Sequence, residues 1–200
     1  MHVERFKGRF PPYLQKEYCR IESVFDLTTK YQSYMPFDVV VQGSTLSIPS
    51  RIYIEEGQLN NPVKLIRLNS LEKEILYCFY SRHHDGYVRE KCLRKIILSS
   101  NKFTAPYILQ LLGEYVIEII EVIYENRESL NQKNIVEYIR ENPKHYEITR
   151  ERVYSYWDCY YRRAYPKYKR GIKPKGPSYQ DYAGIKMVKY LNSLVSESVL

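Results

Sequence analysis

The densest chemistry in this 200-residue sequence lies between Lys144 and Lys175. There Arg150, Arg152, Arg162, Arg163, Lys167, Lys169 and Arg170 alternate with Tyr154, Trp157, Tyr160, Tyr161, Tyr165 and Tyr168. Guanidinium and ammonium groups hold phosphates, and tyrosine rings offer faces on which bases stack. Residues 144–176 set ten basic residues against Glu147, Glu151 and Asp158. The pattern predicts a nucleic-acid contact through the seven cations from Arg150 to Arg170, with Tyr161 and Tyr165 as stacking partners. The plainer reading keeps Trp157 and the inward tyrosines as core and the arginines as a solvated face.

A second place of interest is Arg82-His83-His84-Asp85, followed by Arg89, where two of the four histidines meet a carboxylate. Imidazole beside carboxylate suits acid–base chemistry or a metal. No further His, Cys or Asp cluster completes a coordination sphere, so a turn with a helix cap is the expected role, and no metal or cofactor is expected. Glu114, Glu118 and Glu121 recur with a spacing that places them on one helical face. They are read as the wet side of a helix or as partners for Arg89 and Arg94. There is no phosphate-cradling glycine loop, Gly-x-Ser-x-Gly elbow or His-Glu-x-x-His, so nothing names a reaction and a non-enzyme is expected.

The composition frames these leads. A hydrophobic share of 44%, 27% charged residues and only 8 glycines describe a folding chain rather than a disordered one. The 22 tyrosines and the 31 basic against 23 acidic residues, a net charge of +8, are its two departures from the ordinary. Residues 1–20 are also basic, which leaves the middle of the chain slightly acidic. Cys19, Cys78, Cys92 and Cys159 form no C-x-x-C pair. No apolar run approaches a membrane span, and the charged first residues lack the apolar stretch of a secretory leader, so a cytoplasmic protein without membrane contact is expected.

The elements that must position the candidate residues can be read from periodicity. Phe37 to Gln42, a Gly43-Ser44 turn and the alternation Leu46, Ile48, Ile52, Ile54 predict a β-hairpin with a type II′ turn and Pro49 on an open edge. Asn69 with Glu72 opens a helix to about Tyr80. Val88, Cys92, Leu93, Ile96 and Ile97 continue it as a helical hairpin. Asp85-Gly86-Tyr87-Val88-Arg89, with Cys92-Leu93 and Ile96, resembles the start of the second helix in a HEAT-type repeat. The resemblance covers about 30 residues and implies that Asp85 caps and Arg89 braces a neighbouring pair.

Pro106 to Tyr124 predicts one central helix whose narrow polar stripe is Gln110, Glu114, Glu118 and Glu121. Helix 132–141 is expected to end before Pro143, ahead of a run from Thr149 to Arg163. Thr149-Arg150-Glu151-Arg152-Val153 resembles the opening of the second helix in the helix-turn-helix of sigma-factor-like DNA-binding domains. A stiff linker, Gly171 to Pro177, and a last helix over 182–194 complete the chain.

The fold class expected is mainly α, a bundle of about six helices with an N-terminal β-hairpin. Residues 1–66 are expected to form the basic segment and hairpin, 67–165 the helical core and 166–200 the linker and last helix, as parts of one compact domain. The function expected is a non-enzymatic nucleic-acid-associated binding protein; the alternative is a helical protein-interaction module, with an enzyme at His83-His84-Asp85 third.

Overall fold

The computed structural model describes residues 8–27, 31–32, 35–54, 57, 59–167 and 176–197. Its helices are α1 (Gln15–Val24), α2 (Pro62–Leu65), α3 (Ser70–Tyr80), α4 (Gly86–Ile96), α5 (Ala105–Leu112), α6 (Ile117–Glu125), α7 (Gln132–Glu141), α8 (Pro143–Tyr156) and α9 (Ala183–Glu197). The strands are β1 (Tyr31–Gln32), β2 (Phe37–Val41), β3 (Ser44–Ile48) and β4 (Ile52–Tyr53). The protein is thus mainly helical with a minor antiparallel β component. The described helices exceed six because α1, which buries Tyr18, Ile21 and Val24 at helical spacing, and the four-residue α2 were not expected, and because the expected central helix is two helices.

The hairpin pairs β2 with β3 in the register Phe37↔Ile48, Val39↔Leu46 and Val41↔Ser44. One face buries Val39, Val41, Leu46 and Ile48. The register makes Gln42-Gly43 the turn, and both have positive φ, 50° and 75°, so the turn is type I′ rather than II′. Gly43 occupies its second central position. The alternation beyond Ile48 does not continue the hairpin: β4 pairs antiparallel with β1 and bridges His83. Pro49 lies in the break, buried, its carbonyl accepting from Arg82 Nε at 3.3 Å instead of facing an open edge.

Helix α3 begins with the expected capping box, in which Asn69 and Glu72 satisfy each other's backbone amides. Asp85 caps α4 by accepting from the Tyr87 amide at 2.8 Å. The central region differs from expectation. All eight residues of α5 are buried, but the helix stops at Gly113, and Val116 is extended (φ −85°, ψ 111°) before α6 begins. Gln110 and Glu114 are consequently buried, whereas Glu118 and Glu121 face solvent.

The connection from α7 to α8 is a single residue, Asn142, because Pro143 starts α8 rather than terminating α7. Proline lacks an amide that the first helical turn would leave unbonded anyway. Asn142 also ties the hairpin down: its Oδ1 accepts from the Val40 amide and its Nδ2 donates to the Val40 carbonyl, both at 2.7 Å. Thr149 to Val153 therefore lies mid-helix, with Thr149 and Val153 buried and the Thr149 hydroxyl donating to the His145 carbonyl at 2.9 Å. That placement removes the helix-opening role on which the helix-turn-helix resemblance rests.

After Tyr156 the backbone widens into a π-helical turn, Trp157–Tyr161. Helix α9 then returns across α6, α7 and α8 and buries Ile185, Val188 and Leu191. A single hydrophobic cluster runs from Phe10 through the hairpin and all the larger helices to Leu191. Among the described residues no helix is long and apolar enough to cross a membrane.

Candidate functional site

Three tyrosines gather where the α5–α6 break meets the end of α8. Tyr115 lies 6.1 Å from Tyr156 and 5.8 Å from Tyr160, and Tyr156 lies 6.0 Å from Tyr160, ring centre to ring centre. Tyr160 is 62% exposed and Tyr115 is 48% exposed. None of the three pairs is stacked face to face; the planes meet at 72°, 39° and 41°. Exposed Arg152 stands one helical turn before Tyr156, its stem crossing the backbone at Gly113, and exposed Arg162 and Arg163 follow Tyr160.

The ledge is positioned from beneath. Glu114, the residue before Tyr115, is drawn inward by three arginines from three segments. Arg51 makes a bidentate pair with it, Nη1 donating to Oε1 at 2.7 Å and Nη2 to Oε2. Arg82 Nη2 lies 3.5 Å and Arg89 Nη2 3.6 Å from its oxygens. Burial pushes the Glu114 carboxyl up, but Arg82, the Arg51 hydrogen bond and Arg89 outweigh that and hold it below the usual carboxylate range.

Arg82, fully buried, is lowered to about 9 by burial against the opposing pull of Glu114, so it keeps its proton at neutral pH. Its remaining donors reach the carbonyls of Pro49, Ser50 and Ser81. Glu114 is turned in, while Tyr115 stays 48% exposed with its hydroxyl beside the Arg89 guanidinium, and the Tyr161 hydroxyl donates to the Tyr115 carbonyl.

The seven expected phosphate contacts do not share one surface. Arg150 is half-buried on another side of α8, its guanidinium 5.9 Å from the Tyr146 ring, in a cavity of about 400 Å³ shared with Glu147 and Asn192. Arg152, Arg162 and Arg163 are exposed, with Arg162 paired to Asp158. Lys167 folds over Trp157 and Tyr179, 5.0 and 5.4 Å from the ring centres. Lys169 and Arg170, with the linker 171–175, lie outside the described residues. Tyr161 and Tyr165 are half-buried and set against Tyr182, at 5.3 and 5.7 Å. Their rings lie against Tyr182, whereas Tyr115 and Tyr160 are exposed, with half-buried Tyr156 between them.

At the histidine loop, His83 is buried with both ring nitrogens engaged. Nε2 donates to the Ile54 carbonyl at 2.8 Å, while Nδ1 accepts from the Asp85 amide at 3.1 Å. His84 is exposed and stacks on Tyr53 at 5.1 Å. Arg89 braces the loop, Nη1 donating to the His83 and His84 carbonyls at 2.9 and 2.8 Å. Arg94 pairs instead with Glu90. Among the described residues no three His, Cys, Asp or Glu side chains converge as a metal would require.

An unbroken helix 106–124 hides Tyr115 in the sequence; Gly113 followed by β-branched Val116 is the local sign of the break. No known family model, curated protein or solved structure matches the chain.

Proposed function

We propose that this protein is a non-enzymatic nucleic-acid-associated binding protein whose contact surface lies where the end of α8 meets the α5–α6 break. The observation that carries the reading is the clustering of exposed tyrosine rings beside exposed Arg152, Arg162 and Arg163. Arginine supplies phosphate contacts and rings supply stacking, the two ingredients of sequence-tolerant nucleic-acid binding. Lys169 and Arg170 extend the cationic run in sequence. Half-buried Arg150 and Lys167, folded over Trp157, have smaller parts.

The test is fluorescence-polarisation binding to labelled DNA and RNA from about 50 to about 300 mM salt. Each phosphate contact contributes roughly 0.7 to 0.9 to the slope of log affinity against log salt. Arg152→Ala with Arg163→Ala should weaken binding and flatten that slope by between one and two. Absence of binding at low salt would remove the reading and leave a protein partner for the tyrosine and arginine face, the composition typical of binding hot spots.

A further inference from the structure

Resting on that reading, we infer that the nucleic acid this surface selects is single-stranded, held by bases laid on Tyr115, Tyr156 and Tyr160. In a duplex, bases stack on one another and their faces are closed except at the ends. A ring that projects from a protein surface therefore has nothing to stack on along a duplex. A single strand can splay its bases onto aromatic side chains.

The geometry of the three rings meets that requirement. Their planes are tilted or edge-on to one another, so mutual stacking does not use up their faces. The ring of Tyr160 is in addition edge-on to Tyr161, at 6.5 Å and 61°. Tyr115 and Tyr160 thus keep ring surface open to solvent, with half-buried Tyr156 between them.

The cations on α8 and its π turn favour a polyanion, while Glu118 and Glu121 of α6, within electrostatic reach of Tyr161, bound the cationic stretch on the other side. Between residues 152 and 163 the ionised side chains are Arg152, Arg162 and Arg163 against Asp158 alone, and Asp158 is paired with Arg162. Cations thus lie on both sides of the rings along α8 and its π turn, where a sugar-phosphate backbone running beside stacked bases would pass. The π turn contributes directly. It lies between buried Trp157 and exposed Arg162, and sets Tyr160 outward while Tyr161 turns back onto Tyr182.

The experiment compares four probes of equal length, about 20 nucleotides: oligothymidine, oligouridine, a mixed-sequence duplex and a strand of abasic sites. The abasic strand keeps the phosphates and removes the bases. Wild-type protein should bind the two single strands at least about 5-fold more tightly than the abasic strand. Tyr115→Ala with Tyr160→Ala should remove most of that advantage and leave abasic affinity unchanged. Tyr160→Ala alone, at a site 62% exposed, should remove part of it without disturbing the fold.

Equal affinity for abasic, duplex and single-stranded probes would overturn the single-strand inference while leaving nucleic-acid binding in place. Failure to bind any probe would overturn both and assign the surface to a protein partner.

Discussion

Glu114 shows how far one side chain can carry a site. Its carboxylate is the acidic partner of Arg51, Arg82 and Arg89, two of them almost wholly removed from water. Removing one member of a buried ion cluster strands the rest in low dielectric, which costs about 3–5 kcal/mol. Glu114→Ala should therefore lower unfolding free energy by about that much in urea titrations, and Glu114→Gln by less because one acceptor persists. A loss below about 1 kcal/mol would mean that the carbonyls of Pro49, Ser50, Ser81, His83 and His84 suffice to hold the arginines. The residue types around this cluster were legible in the sequence, as was Glu114 as a partner of Arg89. Its burial was not, since a glutamate at helical spacing among other glutamates reads as solvent-facing until Arg51 and Arg82 arrive from elements distant in sequence.

At the scale of elements, boundaries marked by side-chain caps were readable and those marked by tertiary packing were not. Asn69 with Glu72, and Asp85, announce α3 and α4 locally. Pro143 is ambiguous in isolation, because proline both follows one helix and opens the next; the Asn142 side chain bound to Val40 resolves it only in three dimensions.

Helix α9 depends on a similarly distant fit. A Cβ at Gly184 would stand 2.8 Å from the Tyr182 ring and 2.9 Å from the Val153 side chain, both fully buried. The helix can approach α8 this closely only with glycine there. Gly184→Ala should destabilise the protein by about 1–3 kcal/mol despite alanine's better helix propensity. Gly176→Ala, in open space, should stay within about 0.5 kcal/mol. Paired thermal or chemical melts of the two variants decide the point, and equal stabilities would show that α9 can shift freely on α8.

Across the whole molecule, the hydrophobic pattern was enough to indicate a helical bundle with a small hairpin, because burying apolar faces sets the class of fold before details matter. How the hairpin, α5, α7 and α8 lock together was hidden, since the lock is His145, one of four histidines with no distinguishing neighbours in sequence. Its Nε2 donates to Gln110 Oε1 at 2.9 Å, its Nδ1 accepts from the Tyr138 hydroxyl at 3.0 Å, and its ring stacks on Phe37 at 4.9 Å.

Burial, with Arg152 and Arg82 adding to it, lowers its pKa from 6.5 to about 4. Between those values the unfolded chain binds the proton and the folded one does not, so this group's contribution is present above pH 6.5, falls as pH drops through the window and levels off below about 4. From about pH 7.5 to about pH 5 the loss should be about 2 kcal/mol. In His145→Gln, whose amide does not titrate in this range, that part of the pH dependence should vanish even though stability at pH 7.5 is lower. Denaturation midpoints that fall equally for both proteins over this interval would place the acid sensitivity elsewhere. A fall confined to the wild type would identify the junction of four elements as the point where acid loosens the molecule.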